Sequence, residues 1–420
     1  FEVSMKNSIL LLITLCFSLT IYAHGSAGSI SKDETNDRPI TFPDTKQYKT
    51  LVTDLHTHSV FSDGHVWPSI RVGEALRDGL DVLAVTEHLE YQPHNKDIPH
   101  TNRNRSYEEA KIAASNRNII IINGSEITRD MPPGHVNAVF IKDANTLFNI
   151  ESPKNIEEKE NLKKMVREMQ WGGIDEATKE HYILGNMWPA ENAIEAANKQ
   201  GAFLFWNHPD WHIQTVDGVA QLDPMHKKMI EKGYLHGIEV VNGNGYSEEA
   251  FHLALEHNLA IIGTSDIHDL IDWDYKPHLG GHRPVTLVFA VSKTENSVKE
   301  ALEDRRTVVW FKNTLLGLKR NLQPLLEASL TIESASYNNR TQILAIRIKN
   351  TSDAMFLLKN KSEYTFTNND DLVEVPAQSS KYIEVKTINR LNKLQLDFEV
   401  LNALEAPKVP SQLTLKKSIN

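Results

Sequence analysis

The chain reads Leu51-Val-Thr-Asp-Leu-His56-Thr-His58, an apolar run that ends in two histidines separated by one residue. Its apolar and β-branched residues predict a buried strand from Leu51 to Leu55. Side chains two apart in an extended segment point to the same face, so His56 and His58 are expected to face one pocket. Parallel α/β folds build their active sites at such strand ends.

The same pattern of a short apolar strand followed by a helix repeats from about residue 51 to residue 311. Repeated alternation of this kind predicts a parallel α/β sheet, either open or closed into a barrel. The predicted strands are Leu51 to Leu55, Val82 to Val85, Ile119 to Ile122, Val136 to Ile141, Ala202 to Phe205, Gly237 to Val241, Ala260 to Ile262 and Val285 to Ala290. The predicted helices include Pro68 to Asp78, Tyr107 to Ser115, Ala190 to Gln200 and Ser247 to His257.

Acidic and imidazole side chains follow most of these strands. They are His88, Glu126, His208, Asp266 and His268, whereas His135 precedes its strand. A single histidine at a strand end is more often a hydrogen-bonded loop residue than a ligand. A whole set at equivalent strand ends instead indicates a metal site for Zn, Mn or Fe ions.

The motifs that carry these residues resemble those of the PHP (polymerase and histidinol phosphatase) family. In chain order they are Asp54-Leu-His56-Thr-His58-Ser-Val-Phe-Ser-Asp63-Gly64, Val85-Thr-Glu-His88, Gly124-Ser-Glu126, Gly134-His135-Val-Asn, Asn207-His208-Pro and Thr264-Ser-Asp266-Ile-His268. The resemblance covers roughly residues 50 to 312 and implies a distorted seven-stranded β/α barrel that holds two or three divalent ions. The ligands that it implies are His56, His58, Asp63, His88, Glu126, His135, His208, Asp266 and His268.

Two positions in these motifs leave alternatives open. His65 competes with Asp63 for the same metal, and the spacing to His56 favours Asp63. Glu87 stands where family members commonly have Asp, so a hydrogen bond beside a ligand is expected to shift.

The resemblance predicts a metal-dependent phosphoesterase, most simply a phosphodiesterase in which a metal-bridging hydroxide attacks phosphorus. Strings around Thr86 and Gly280 are similar to a narrower group of secreted bacterial PHP phosphodiesterases. Arg129 and Arg283 are the predicted clamp on the phosphoryl oxygens, and His212 and His282 are candidate general acids. A phosphomonoesterase, such as a histidinol-phosphate or nucleotide phosphatase, and an inactive ligand-binding surface protein are the alternative functions.

Domain boundaries can also be predicted from the sequence. The barrel is expected over residues 46–320, with a helical insertion near 142–200 that forms a lid or side wall. After Leu318 the chain alternates in the manner of strands separated by Asn, Asp and Ser turns, which predicts a small antiparallel β-sandwich over residues 325–416.

The start of the chain predicts a targeting segment. Lys6, an apolar run from Ile9 to Ile21 and Ala23 are typical of a signal peptide over residues 1–23, followed by a flexible leader over 24–45. The run has roughly 13 residues, fewer than the about 20 that span a bilayer, so stable membrane insertion is not expected. The one cysteine, Cys16, lies within it, and the mature protein is expected to be secreted or periplasmic and free of disulfides.

The overall charge bears on the partner. A formal net charge of -10 gives no broad basic surface, so a small phosphate ester is the expected substrate and extended nucleic acid is not. The sequence leaves the oligomeric state open.

Overall fold

The structure, a computed structural model, describes residues 38–419, so the predicted signal peptide and most of the leader lie outside the described residues. The leader prediction fails for residues 38–45, which are packed rather than flexible. Ile40 and Phe42 are buried in the core, and Arg38 Nε pairs with Asp78 at 2.7 Å. Apolar residues within this short segment explain why it packs.

Seven strands form a closed barrel. They are β1 (Lys49–Asp54), β2 (Val82–Val85), β3 (Ile120–Ile127), β4 (Val136–Val139), β5 (Phe203–Trp206), β6 (Gly237–Asn242) and, after the short β7 (Gly245–Tyr246), β8 (Ala260–Thr264). Each of these seven strands pairs with the next one, and β6 pairs directly with β8 because β7 is not part of the barrel. The ring closes just beyond β1 and β8, where Asp266 N donates to His56 O at 3.0 Å and His58 N donates to Ile267 O at 3.1 Å.

One strand of the barrel runs against the others. β4 is antiparallel to both β3 and β5, whereas the other barrel pairs are parallel. The amino end of β4 therefore lies at the same edge as the carboxyl ends of its neighbours. This explains why His135 precedes its strand while the other candidate ligands follow theirs.

Helices pack around the barrel and form the insertion. They are α1 (Pro68–Arg77), α2 (Arg105–Ala113), α3 (Ile156–Glu168), α4 (Glu176–Met187), α5 (Ala190–Lys199), α6 (Pro224–Glu231), α7 (Glu248–Glu256), α8 (Ile271–Asp274) and α9 (Glu295–Glu303). The predicted insertion comprises α3, α4 and α5 between β4 and β5. Asn155 and Asp175 cap the first two of these helices by accepting bonds from Glu158 N and Thr178 N.

The sheet continues from the barrel into a second domain. The antiparallel strands β9 (Val285–Ala290), β10 (Thr307–Phe311) and β11 (Thr314–Gly317) extend from β1, and α10 (Lys319–Ser329) follows. The remaining strands are β12 (Leu330–Tyr337), β13 (Ile343–Asn350), β14 (Phe356–Asn360), β15 (Thr365–Phe366), β16 (Leu372–Val375), β17 (Ser380–Lys386), β18 (Lys393–Ala406) and β19 (Val409–Ser418).

These last eight strands form the two layers of a sandwich. One layer has the order β12-β13-β17-β15, and the other contains β16, β14, β18 and β19. β18 pairs in parallel with β11, so the second layer continues the sheet of the barrel. Asn402 reinforces this junction, because its Nδ2 donates to Asn313 O and Met355 O, both at 2.7 Å.

None of the helices between residues 38 and 419 has the length and apolar character of a membrane span.

Candidate metal centre

The structure brings all nine predicted ligands to one edge of the barrel. His56, His58 and Asp63 lie in the segment after β1, which folds back tightly on itself. A Cβ at Gly64 would lie 2.7 Å from Ser59 N, so only glycine fits there. The other six are His88 after β2, Glu126 within β3, His135 before β4, His208 after β5, and Asp266 and His268 after β8.

The Asp63 carboxylate is the first of three points where potential metal-ligand atoms converge. His268 Nε2 lies 3.2 Å from Asp63 Oδ1, His88 Nε2 lies 3.4 Å from it and His58 Nδ1 lies 3.8 Å from it. Asp63 Oδ1 is buried without a hydrogen-bond partner among the described residues. Three ring nitrogens therefore surround one oxygen that receives no hydrogen bond.

The Asp266 carboxylate is the second such point. His56 Nε2 and His58 Nε2 each lie 3.1 Å from Asp266 Oδ1 and 3.0 Å from each other. Asp266 has a φ of +48°, a left-handed backbone conformation that side chains other than glycine rarely adopt. Strained backbone of this kind is characteristic of functional sites.

Glu126 links the second point to a third. Its Oε2 faces His56 Nε2 and His58 Nε2, each at 3.6 Å, whereas its Oε1 lies 2.9 Å from His135 Nδ1 and 3.3 Å from His208 Nε2. His88 Nδ1 lies nearer still, 2.6 Å from Oε2, so this carboxylate presents one oxygen to three imidazoles and the other oxygen to two. The two oxygens of a carboxylate placed in this way would hold two separate ions.

The donor chemistry fits divalent metal ions. Asp63 Oδ1, Glu126 Oε2 and Asp266 Oδ1 are buried acceptors without hydrogen bonds among the described residues, which is costly unless a cation binds there. Burial lowers the pKa of His58 to about 3, so its ring is neutral and can act as a ligand. Burial alone would raise the pKa of Glu126, but the surrounding histidines hold it well below its usual range.

Glu239, which the sequence analysis missed, orients two of these ligands. Its Oε1 accepts from His56 Nδ1 at 2.8 Å, and its Oε2 accepts from His208 N at 2.8 Å. The available signal was a carboxylate in the middle of an apolar strand, because a fully buried Glu requires partners.

Glu87 and His65, the two ambiguous positions, have separate roles in the structure. Glu87 accepts from Ser59 N at 3.0 Å and from the hydroxyls of Ser59 and Ser62, so it holds the loop after β1. His65 is 58% exposed and pairs with Asp269 at 2.7 Å, while Asp63 points to the other histidines.

Comparison with known proteins bears on this site directly. A two-domain protein from Bacteroides vulgatus ATCC 8482 that contains a predicted PHP-like metal-dependent phosphoesterase is 35% identical to this chain. The match covers 90% of this chain and 98% of that protein, with a TM-score of 0.75. This chain belongs to the PHP-like metal-dependent phosphoesterases. The predicted family, barrel and enzyme class are thereby confirmed.

The other comparisons concern the second domain and the fold of the barrel. A family described as an Ig-like domain matches residues 330–416, which confirms the predicted β-sandwich. An amidohydrolase from Chromobacterium violaceum with bound sulfate is 19% identical over 52% of this chain and 87% of its own, with a TM-score of 0.33. A lesion-specific endonuclease from Pyrococcus furiosus is 14% identical over 69% of this chain and 62% of its own, with a TM-score of 0.34. A search of curated proteins gave no match.

A cavity of about 850 Å³ opens onto the metal centre of this phosphoesterase. Beside the ligands, its wall includes Tyr91, Trp171, Trp211 and Ile213. The insertion supplies Trp171, whose ring centroid lies 5.4 Å from that of Tyr91. The predicted role of the insertion as a side wall matches this placement, and Tyr91, Trp171, Tyr182 and Trp211 make part of the wall aromatic.

The structure does not place Arg283 and His282 in this cavity. Arg283 is 1% exposed, and its guanidinium pairs with Asp54 at 3.1 Å and with Asp78 at 2.7 Å. His282 stacks on Trp310, with ring centroids 3.5 Å apart, in a separate cavity. Neither can therefore clamp a phosphate or protonate a leaving group at the metal centre, and both assignments are withdrawn.

Arg129 and His212 are the other two predicted catalytic residues. Arg129 lines the cavity, but its guanidinium pairs with Glu90 at 2.9 Å and donates to the carbonyls of Gly185 and Trp188. His212 is exposed and does not line the cavity wall. Arg129 thus fastens α4 to the barrel, and its buried Nε has no hydrogen-bond partner among the described residues, so its role as a clamp stays a prediction.

Proposed function

We propose that this phosphoesterase is a phosphodiesterase that hydrolyses small organic phosphate diesters. The observation that carries the proposal is the charge of the cavity wall. Among the described residues that line it, Arg129 is the one Arg or Lys, and its guanidinium is paired with Glu90 at 2.9 Å. A phosphate monoester carries about -1.5 to -2 charges at pH 7. A diester carries a single negative charge and needs less neutralisation from the protein.

The apolar wall supports the same substrate class. Trp171 and Trp211 face the centre from the insertion and from the loop after β5, and Met131 and Ile213 lie with them. Such side chains bind an organic ester group by excluding water from it. A diester brings two organic groups to the metal centre, one of which can lie on this wall.

The protein's own groups would hold three ions. Asp63, His88 and His268, with His58 beside them, would hold one. His56, His58 and Asp266, with Glu126 beside them, would hold a second. Glu126 and His135, with His88 and His208 beside them, would hold a third. Bound Zn, Mn or Fe ions would supply an acidified water and neutralise charge on the phosphoryl oxygens. Gln214 lines the cavity, and both of its buried amide atoms lack partners among the described residues, so it can orient an ester oxygen.

We also propose that the enzyme acts outside the cytoplasm. The proposal rests on the charged start, apolar run and small residue within residues 1–23. N-terminal sequencing of the protein from periplasmic and culture fractions tests it. A mature amino terminus after Ala23 supports export, and an intact Met5 segment in the cytoplasmic fraction contradicts it.

The substrate proposal is tested by comparing kcat/KM for bis(p-nitrophenyl) phosphate, p-nitrophenyl phosphate and p-nitrophenyl phenylphosphonate with Zn- and Mn-loaded protein. The expected order places both singly charged esters at least about tenfold above the monoester, or ~1.4 kcal/mol in transition-state binding. The reverse order would identify a phosphomonoesterase. The absence of turnover with all three esters and full metal loading would indicate a binding protein.

A matched pair of tryptophan variants tests the apolar wall. Trp171→Ala removes a cavity-lining ring, whereas Trp273→Ala removes a ring that is 65% exposed and outside the cavity. Because the lost contact stabilises the bound aryl group by about 1 kcal/mol, KM for the aryl diester is expected to rise about fivefold in Trp171→Ala alone. Equal KM values in both variants would show that Trp171 of the insertion does not contribute to substrate binding.

A further inference from the structure

Arg71 in α1 is buried next to the metal centre, with a relative exposure of 2%. All five of its N–H donors are used. Nε donates to His58 O at 2.7 Å, Nη1 to Asp269 O at 2.6 Å and Glu74 Oε2 at 2.8 Å, and Nη2 to His268 O at 2.6 Å and Ile267 O at 3.2 Å. Four of the five acceptors are therefore backbone carbonyls.

These carbonyls belong to the two loops that carry most of the ligands. His58 O lies in the loop after β1, and the other three lie in the loop after β8, up to 198 residues from Arg71 in the sequence. One planar guanidinium thus spans two loops that are distant in the chain. Backbone hydrogen bonds, such as that from His58 N to Ile267 O at 3.1 Å, also join the two loops, and the fixed fork of the guanidinium adds a constraint on their angle that a flexible point charge could not supply.

The loop after β8 has particular need of such support. Asp266 has a φ of +48°, which costs about 1–3 kcal/mol for a residue other than glycine. The three carbonyls that follow it accept from Arg71. Ile267 O and His268 O also accept from backbone N–H groups at 3.1 and 2.9 Å, whereas Asp269 O has Arg71 as its one donor among the described residues. Arg71 therefore supplies hydrogen bonds that stabilise the strained conformation next to a ligand.

We propose that Arg71 is a positioning residue that sets the registration of the two ligand loops and thereby builds the ion sites that the loops share. Two of the three convergence points are shared. Asp266 Oδ1 meets His56 and His58 Nε2 at 3.1 Å, and His268 Nε2 meets Asp63 Oδ1 at 3.2 Å. The pair formed by His135 and His208 on Glu126 takes no ligand from the loop after β8.

The test measures metal binding, so it does not depend on which ester the enzyme cleaves. Chelator-stripped wild-type protein, Arg71→Lys and Arg71→Gln are titrated with Zn²⁺ against a chromophoric chelator, and bound ions are counted per chain. Because outer partners of metal ligands typically contribute 10–100-fold in affinity, we expect losses of about that size at the shared points. The number of Zn²⁺ ions bound per chain is expected to fall, whereas Zn²⁺ binding by Glu126, His135 and His208 is expected to be retained.

The control is Arg77→Gln, which alters an arginine of the same helix whose Nη2 pairs with Asp272 at 3.2 Å near the surface. Its Zn²⁺ affinity and stoichiometry are expected to equal those of the wild type. If Arg71 positions the loops, its replacement lowers the Zn²⁺ affinity of the folded protein. If Arg71 is merely structural, its replacement lowers only the thermal stability. Wild-type Zn²⁺ affinity in folded Arg71→Lys or Arg71→Gln would therefore overturn the proposal.

A second variant covers the case in which both Arg71 variants fail to fold. Glu74 Oε2 holds Arg71 Nη1, and Glu74 Oε1 accepts from Ile271 N at 2.8 Å. Glu74→Gln keeps an acceptor for Ile271 N but removes the charge that fixes the guanidinium. A severalfold loss of Zn²⁺ affinity is expected, and an unchanged affinity would overturn the proposal. A preference for monoesters would contradict the proposed phosphodiesterase function and leave this result intact.

Discussion

Glu239 Oε1 accepts a hydrogen bond from His56 Nδ1 at 2.8 Å, in the fully buried interior of the barrel. Thr264 Oγ1 donates to the same oxygen at 2.6 Å, which fixes the carboxylate in place. Because the proton of His56 lies on Nδ1, the lone pair on Nε2 is left for a cation that Asp266 Oδ1, 3.1 Å away, would also bind. Glu239 therefore selects the tautomer of His56 that can bind a metal ion.

Replacement of this carboxylate should weaken metal binding without unfolding the barrel. Glu239→Gln keeps the size of the side chain but removes its charge, so the imidazole becomes a poorer donor ligand. We expect Zn²⁺ affinity to fall by about tenfold. Competition with a chromophoric chelator measures the change, and Glu256→Gln at a 71% exposed side chain provides the control. Equal affinities in the two variants would exclude this role for Glu239.

Metal removal should lower stability as well as activity. The buried oxygens of Asp63, Glu126 and Asp266 lack donors among the described residues, so the empty centre keeps their charges close together. Ions at about 100 times their Kd stabilise a fold by about 2.7 kcal/mol for each independent site. Scanning calorimetry of chelated and Zn²⁺-reloaded protein is expected to show a clear rise in Tm on reloading. A Tm that does not respond to Zn²⁺ would contradict the metal centre.

Much of the fold could be predicted because local pattern and topology agree. The strand Val82–Val85 and the strand Val285–Ala290 have the predicted bounds, since both are short apolar runs between turn residues. The reversed direction of β4 could not be read from the sequence, because strand direction depends on pairing with distant strands. This antiparallel pairing is the reason that His135 precedes its strand, unlike the other ligands.

The site shows a similar limit. The ligands could be predicted because each motif is local, but the partners of arginines could not. Arg283 follows two glycines in a stretch that resembles a flexible loop, yet Asp54 and Asp78 hold it from 229 and 205 residues away. Arg71 has no local signal, because its acceptors are backbone carbonyls that any sequence provides.

The buried pairing of Arg283 predicts a large loss of stability when it is replaced. Arg283→Gln leaves the carboxylate of Asp54 buried without its cation and leaves Asp78 with Arg38 alone, which costs about 3–5 kcal/mol. Urea denaturation measures the loss. Arg305→Gln, which removes a surface bond to Asn258 Oδ1 at 2.8 Å, is expected to change stability by less than about 0.5 kcal/mol. A stable Arg283→Gln protein with a raised KM would instead support a role for Arg283 in binding the phosphate group.

His181 on α4 predicts a pH dependence that is separate from the metal centre. Its Nε2 accepts from Arg103 Nη2 at 2.9 Å, and burial, together with that positive charge, lowers the pKa of His181 to about 4. Because this value lies below about 6.5 in the unfolded chain, protonation favours unfolding. The stabilisation from neutral His181 is complete above pH 6.5 and is lost as the pH falls towards 4.

The variant His181→Gln isolates this contribution, since glutamine can accept from Arg103 but does not titrate. Between pH 7.5 and pH 5 the wild type is expected to lose on the order of 2 kcal/mol of unfolding free energy relative to the variant. Urea denaturation of both chelated proteins at the two pH values measures the difference, because the groups of the metal centre titrate in both and cancel. A free-energy difference between the two proteins that stays constant with pH would show that His181 is protonated as readily in the folded as in the unfolded state.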